Sequence, residues 1–279
     1  MKIAFQGVHG AYSDAAARKM VGGAATTVPK KDFHDVFRAV QRGAADRGVI
    51  PIENSLSGSI HQNYDLLLHH PLHIVSETHL RIEHVLMCHP ASSLRRLTTV
   101  RSHPQALAQC TRFLSRNRRL HAEPFFDTAG AAQYLKDSGA LDCGAIASAY
   151  AARLYGLKIL RRNLEDQPNN YTRFLLISRS PAVLRPGEAA KCSICFKPSE
   201  NRVGILFRIL GVFALRDIDL LKIESRPDRE SSFAYQFYLD FSGNPHDRNI
   251  QNALDHLREM VREYRVLGAY PPDKGDVKS

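Results

Sequence analysis

The stretch Asn169-Asn170-Tyr171-Thr172-Arg173-Phe174 puts a hydroxyl beside a guanidinium at the head of an apolar run. A threonine can donate a hydrogen bond to a departing oxygen, while a neighbouring arginine holds a carboxylate through two parallel N–H groups. The same pair equally suits an ordinary edge strand. Pro51-Ile52-Glu53-Asn54-Ser55-Leu56-Ser57-Gly58-Ser59 packs polar donors and acceptors into a loop and helix start. Ser57-Gly58-Ser59 could bind a carboxylate through backbone N–H groups, or serve as a capped loop. Ser102-His103-Pro104-Gln105-Ala106-Leu107-Ala108-Gln109-Cys110 follows a strand, with Ser102 in the strand-to-helix loop and Gln109 two turns into the helix. His103 titrates near neutrality, which invites an acid–base role, but no G-x-S-x-G elbow accompanies it, so a cap is expected. Gly7-Val8-His9-Gly10-Ala11-Tyr12-Ser13 joins a strand to an alanine-rich helix. Glycines let a ligand approach the backbone there, or the segment is a tight turn capped by Ser13. It is not the G-x-G-x-x-G dinucleotide pattern.

The elements around these segments alternate. Lys2–Gln6, Gly48–Ile52, Leu97–Val100, Gly144–Ala147 and Tyr171–Ile177 read as strands. Phe33, Val36, Phe37 and Val40 share one helix face, stopped by Gly43. Pro104 opens a helix with Leu107, Cys110 and Leu114 on one side. Such alternation predicts an α/β domain with a mostly parallel sheet and ligands beyond the carboxyl ends of its strands. A linker over 178–188, with two prolines and a glycine, divides the chain. Beyond it the order is β-α-β-β-α-β, a ferredoxin-like module. Val203, Leu206, Leu210 and Phe213 are expected on the buried face of its first helix, and Phe233 to Phe241 alternate as a half-buried strand.

Composition bounds the answer more loosely. The 279 residues, 44% hydrophobic and 24% charged, suit one large or two ordinary globular domains. No apolar run approaches the roughly 20 residues of a membrane helix. The N-terminus lacks a signal-peptide core, and the chain is expected to begin directly with the first strand, in the cytoplasm. Five cysteines fit a reducing compartment. Cys192 and Cys195 stand three apart on a strand and point to opposite faces, which argues against a shared metal. Among thirteen histidines, His69, His70, His73, His79 and His84 follow no metal-ligand spacing. Pro71 also interrupts any helix joining His69 to His73, so solvated or capping roles are expected. The net charge of +10 is scattered rather than striped, which fits anionic substrates or plain solubility better than nucleic acid.

Taken in order, G-x-x-G-x-Y-S, P-I-E-N-S, S-H-P-Q-A-L-A-Q-C, the run Ala145–Leu157 and N-x-T-R-F resemble the prephenate dehydratases over nearly the whole chain. The C-terminal module resembles an ACT domain. The resemblance implies a two-lobed, type II periplasmic-binding-protein-like catalytic domain over residues 1–180. Its first lobe would cover about 1–80 and 161–180, its second about 81–160, with the ACT domain at 190–272. It implies decarboxylating dehydration of prephenate to phenylpyruvate, with no cofactor and no metal. Thr172 is the implied catalytic threonine, Arg173 the carboxylate ligand, and Asn54, Ser55, Ser102 and Gln109 orient the substrate. Tyr12, Ser13, Ser57, Gly58, Ser59, Phe126, Asn170 and Phe174 complete the substrate site. Phenylalanine would bind at Gly204, Ile205 and Leu206 (where the family's usual alanine is isoleucine), at Glu224-Ser225-Arg226-Pro227 and at Asn201. The expected assembly is a homodimer or homotetramer, without nucleic acid or membrane. The alternatives are an arogenate or dual-specificity dehydratase, and a non-catalytic sensor or solute-binding protein on the same fold.

Overall fold

The computed structural model describes residues 1–22, 25–200, 202–228 and 235–273. Two compact units emerge: Met1–Tyr64 with Thr78–Leu175, and Asp65–Glu77 with Leu176 onward. In the first, β1 (Lys2–Gln6), α1 (Tyr12–Val21), β2 (Thr26–Lys30), α2 (Phe33–Gln41) and β3 (Arg47–Asn54) alternate, and β1 runs parallel to both β2 and β3. Then come β4 (Gly58–Ser59), α3 (His61–His69) and β5 (His73–Arg81). The chain next builds a second sheet from β6 (Val85–Cys88), β7 (Thr99–Ser102), α4 (Pro104–Ala108), α5 (Thr111–Arg116), β8 (His121–Pro124), α6 (Thr128–Ser138), β9 (Cys143–Ala147), α7 (Ala149–Leu154) and β10 (Lys158–Arg161). It returns to the first sheet as β11 (Tyr171–Ser178). The sheet orders are β2-β1-β3-β11-β5, with β4 on β3, and β10-β6-β9-β7-β8. Two sheets joined by two crossings form a two-lobed α/β fold. The second sheet is more mixed than expected. Strand β6 enters from the other lobe and runs antiparallel to both β9 and β10.

Local chemistry explains the key elements. Asp32 caps α2 by accepting from the Asp35 N–H at 2.8 Å, and Val36, Phe37 and Val40 are buried. Strand β9 is buried along its length because it lies mid-sheet between two covered faces. Helix α6 carries Ala129, Gly130, Ala131 and Ala132, all buried. These small residues let Phe5 and Ala11 of the first lobe share a core with Val85, Met87 and Ala151 of the second.

Two expectations about helices need correction. Cap geometry makes Ala11, not Ser13, the N-cap of α1, and Ser13 lies inside the helix. The helix opened by Pro104 ends at Ala108, with Gln109 as its C-cap. A new helix starts at once because Asp166 accepts from the N–H groups of Thr111 and Arg112.

In the second unit, β12 (Lys191–Pro198), α8 (Ile205–Ala214), β13 (Leu220–Pro227), β14 (Tyr235–Ser242), α9 (Arg248–Met260) and β15 (Val261–Tyr270) follow the ferredoxin-like order. Their antiparallel sheet runs β13-β14-β12-β15. Cys192 joins the core beneath the helices, whereas Cys195 faces a separate cavity. Burial pushes both thiols up to about 12, so neither is a ready metal ligand. Helix α8 buries Ile209, Val212 and Phe213, while Val203 precedes the helix and is fully exposed. The helix is apolar nearly all round, so periodicity did not single out its core face. Phe233 lies outside the described residues, as does Asn201. Among the described residues no helix is long and apolar enough to cross a membrane, and no cluster of metal-ligating side chains occurs.

Candidate active site

A cavity of about 630 Å³ opens between the two sheets of the first unit. Thr172 and Phe174 reach it from β11, and Asn54 reaches it from the end of β3. Ser57, Gly58 and Ser59 follow in the next turn, and Tyr12 and Ser13 come from the first turn of α1. Gln109 and Phe126 complete the expected set from the second lobe. The carboxyl ends of β1, β3 and β7 all point here, as open α/β sheets direct.

The glycine turn joins two residues of the lining, Gln6 and Ala11. Gly7 and Gly10 have φ of 108° and 93°, conformations that side chains rarely adopt. A Cβ on Gly7 would stand 2.7 Å from Asp127 Oδ2, and one on Gly10 3.2 Å from Ala151. The turn is stitched to the second lobe by Ser148 Oγ donating to the Gly10 carbonyl at 3.0 Å and Tyr155 Oη to that of His9 at 2.6 Å. Asp127, at the start of α6, accepts the Val8 N–H at 3.2 Å.

A directional chain of hydrogen bonds crosses the cavity wall. Asn54 Oδ1 accepts the backbone N–H groups of Leu56 and Ser57, each at 3.0 Å, which fixes the orientation of its amide. Its Nδ2 must therefore donate, and does so to Asn170 Oδ1 at 2.7 Å and to Thr172 Oγ1 at 3.0 Å. Asn170 Nδ2 then donates to Gln109 Oε1 at 3.0 Å. That oxygen faces His84 Nε2 at 3.1 Å, so His84 carries its proton on Nε2. His84 Nδ1 is left as an acceptor 2.9 Å from Tyr12 Oη, whose proton it shares with the Glu83 carbonyl at 2.7 Å. Two backbone donors thus determine a tautomer at the far end of the chain. They also leave the Thr172 hydroxyl hydrogen free to point into the cavity.

The electrostatics agree. Burial lowers the pKa of His84, against the opposing pull of the Gln109 bond and Glu165, so the ring is neutral at pH 7. Below the ordinary histidine value of roughly 6.5, the unfolded chain gains a proton that the folded state resists, so acidification weakens the fold here. Burial, then the Glu165 charge, holds the Tyr12 phenol well above its usual value and keeps it a donor.

Four expected residues stand apart from the cavity lining. Ser102 is fully buried and donates to the Ile146 carbonyl at 2.5 Å. Ser55 pins the head of β11 through the Asn169 carbonyl and the Tyr171 N–H, both at 2.9 Å. Asn170 sits behind the wall as a link in the chain. Arg173 is buried and alternates with Thr172 and Phe174, so it points to the other face of β11. His84 reverses the expectation of a solvated or capping histidine: it is 2% exposed and borders the cavity. Lys31, Asp32 and Asp127 also border it although they belong to no motif, as does Gln105, which lies in the S-H-P-Q segment but has no role implied by it. His103 does cap, accepting the Gln105 N–H at 3.2 Å. Gln105 Nε2 donates to Ser57 Oγ at 2.6 Å, a link between the lobes across the cavity mouth.

Residues 3–182 match the prephenate dehydratase family, and residues 199–259 match the ACT domain. The chain belongs to the prephenate dehydratase family. It is a dehydratase with a C-terminal ACT domain. It is 46% identical over 287 residues to arogenate dehydratase/prephenate dehydratase 1, chloroplastic, of Arabidopsis thaliana, covering 98% of this chain and 72% of that one. A prephenate dehydratase from Arthrobacter aurescens in complex with L-Phe superposes with a TM-score of 0.88 at 30% identity, covering 97% of this chain and 90% of that one. A structure described as GqqA, a novel type of quorum quenching acylase, superposes with a TM-score of 0.90 at 37% identity, covering 98% and 99%.

In the ACT domain of this dehydratase, Gly204 is the N-cap of α8 with φ of 78°, and Ile205 and Leu206 open that helix. On the edge strand β13, Ser225 and Pro227 are exposed. Glu224 pairs with Lys222 at 3.7 Å, and Arg226 with Asp65 at 3.6 Å.

Proposed function

We propose that this enzyme converts prephenate to phenylpyruvate and that L-phenylalanine inhibits it through the ACT domain. The hydrogen-bond chain ending on Thr172 carries the reading. In the reaction the bond from the ring to its carboxylate breaks, carbon dioxide leaves, and the electron pair enters the ring. Across the ring the carbon–oxygen bond breaks, with its pair leaving on oxygen as hydroxide, which is protonated by solvent. Thr172, already accepting from Asn54, donates a hydrogen bond to that departing oxygen and keeps its proton. A preset donor aimed at developing charge lowers the barrier without an acid of matched pKa. Asn54, Asn170, Gln109, His84 and Tyr12 hold the donor in place. The uncapped start of α1 at Tyr12 and Ser13, with Ser57-Gly58-Ser59, supplies N–H groups for the carboxylates. Phe126 and Phe174 flank the ring. Arg173, Ser55 and Ser102 are assigned to holding the strands that present these groups.

Gly130 supports Phe126. A Cβ there would stand 2.6 Å from Phe126 Cζ, and the ring is 70% exposed and able to shift. Gly130→Ala is expected to raise KM for prephenate about 3–10-fold through the lost ring contact, with kcat little changed. A larger loss in kcat than in KM would remove Phe126 from the substrate wall.

An acylase reading follows from the likeness to GqqA. It requires a nucleophile activated by a base. The Ser102 hydroxyl is directed at the Ile146 carbonyl, and His84 is held between Tyr12 and Gln109, so the geometry favours the dehydratase. The deciding assay is phenylpyruvate formation from prephenate by the purified protein, with and without L-phenylalanine, beside arogenate and an N-acyl amide. Turnover of prephenate that falls with phenylalanine is the expected result. Turnover of arogenate alone would rename the substrate, and cleavage of the amide alone would overturn the reading. We further propose a cytoplasmic homodimer or homotetramer paired through its ACT domains, supported by the exposed Val203, Phe207 and Leu215 around α8. A monomer by light scattering at micromolar concentration would count against it.

A further inference from the structure

We propose that Lys31 selects the substrate by its side chain, favouring a 2-oxo acid over the corresponding 2-amino acid. The inference rests on the dehydratase reading and deepens it. Prephenate carries two carboxylates at one end of the ring and the leaving hydroxyl at the other. A dianion entering a cavity calls for a fixed positive charge near its carboxylates. Arg173, expected to supply it, points to the opposite face of β11. Among the residues lining the cavity, Lys31 is the one lysine or arginine.

Its position fits the task. Lys31 follows the last residue of β2, and the register pairs Gln6 with Lys30, so Lys31 lies beside the Gly7 turn that leads into α1. The Gly7 N–H donates to the Lys30 carbonyl at 2.9 Å and fixes that neighbourhood. Lys31 lines the same cavity as Tyr12 and Ser13, whose helix start has no side-chain cap and adds a second positive feature to the lining. Thr172 stands on β11, three strands away through β3 and β1. At about 4.8 Å per strand the backbones are about 14 Å apart, which leaves room for a ring laid between a threonine hydroxyl and an extended lysine. The leaving oxygen meets Thr172 at one end, and the side-chain carboxylate meets Lys31 at the other.

The ammonium group of Lys31 is available for this role. Its side chain is exposed, and among the described residues no carboxylate lies within ion-pair distance of it. The two carboxylates of the lining face backbone donors of their own: Asp32 accepts the Asp35 N–H, and Asp127 those of Val8 and Ala129. Discrimination follows from the chemistry of the neighbouring carbon. In prephenate it carries a neutral keto oxygen, which accepts from an ammonium. In arogenate it carries an ammonium of its own, which Lys31 repels.

The test compares kcat/KM for prephenate and for arogenate in the wild-type protein and in Lys31→Met, Lys31→Arg and Lys31→Glu. Lys31→Met is expected to lose about 10–100-fold on prephenate and markedly less on arogenate, the range for removing one charge-assisted contact. Lys31→Arg is expected to stay within about threefold of wild type on prephenate, and Lys31→Glu to favour arogenate. An unchanged ratio of the two substrates in Lys31→Met, with the wild type active on prephenate, overturns the role of Lys31 and leaves the dehydratase reading standing. A wild type that turns over neither substrate overturns both. Thermal melts of the variants should match wild type, because an exposed side chain on a loop contributes little to stability.

Discussion

Thr172→Ala lowers turnover of prephenate by about 10²–10³-fold, the scale of one lost donor to a developing negative charge. The variant keeps its fold, since Thr172 contributes one acceptor to Asn54 and that amide retains Asn170 and the Tyr171 carbonyl as partners. The loss falls on kcat rather than KM, because the contact strengthens as the carbon–oxygen bond opens. Single-turnover kinetics beside a circular-dichroism melt would check both halves. Near-normal turnover in a well-folded variant would take the threonine out of the mechanism. Thr172→Ser, which restores a hydroxyl, should recover most of the rate.

A change at Asn54 that alters almost no volume has an effect of the same order. In Asn54→Asp, one oxygen still accepts from Leu56 and Ser57, but the other faces Asn170 Oδ1, Tyr171 O and Thr172 Oγ1, all acceptors. A carboxylate has no hydrogen to give them. The Thr172 hydroxyl relieves the conflict by turning its hydrogen toward the new carboxylate and away from the substrate. Turnover is expected to fall about 10²–10³-fold, with a stability loss of about 1–3 kcal/mol from the unsatisfied wall. The double variant Asn54→Asp with Thr172→Ala should be scarcely slower than either single one, because both remove the same contact. Additive losses would show that Asn54 works on the reaction by another route.

The fold was largely legible because its signals are local. Strands β1, β3, β9 and β11 are short apolar runs closed by turn chemistry, and the linker and the ferredoxin-like order behind it declare themselves through proline, glycine and alternation. The site was legible where motif and strand coincide, as at Asn54 and Thr172. It was less so where a side chain's direction decides its role. Alternation along β11 separates Arg173 from Thr172, yet two chemically attractive neighbours invited a shared task. In sequence His84 stands among other histidines, whereas its surroundings come from Tyr12 and Gln109, residues distant along the chain. Local sequence places Gln109 within a helix, whereas the Asp166 carboxylate that starts α5 sits more than fifty residues further on. Lys31 belongs to no motif, and only the closure of the cavity gives it meaning.

Strand β11 has a consequence for how the protein is made. It is the last strand of the catalytic part to leave the ribosome, yet it lies between β3 and β5 in the interior of the first sheet. Until it inserts, those two strands carry open edges, the kind of surface on which nascent chains pair with one another. Closing a contact as remote as Asn54 to Thr172 means waiting for the whole second lobe to be synthesised and to collapse. Assembly of the catalytic centre and burial of the sheet's most adhesive edges are therefore one late event, and a chain paused before residue 178 is both inactive and prone to aggregate.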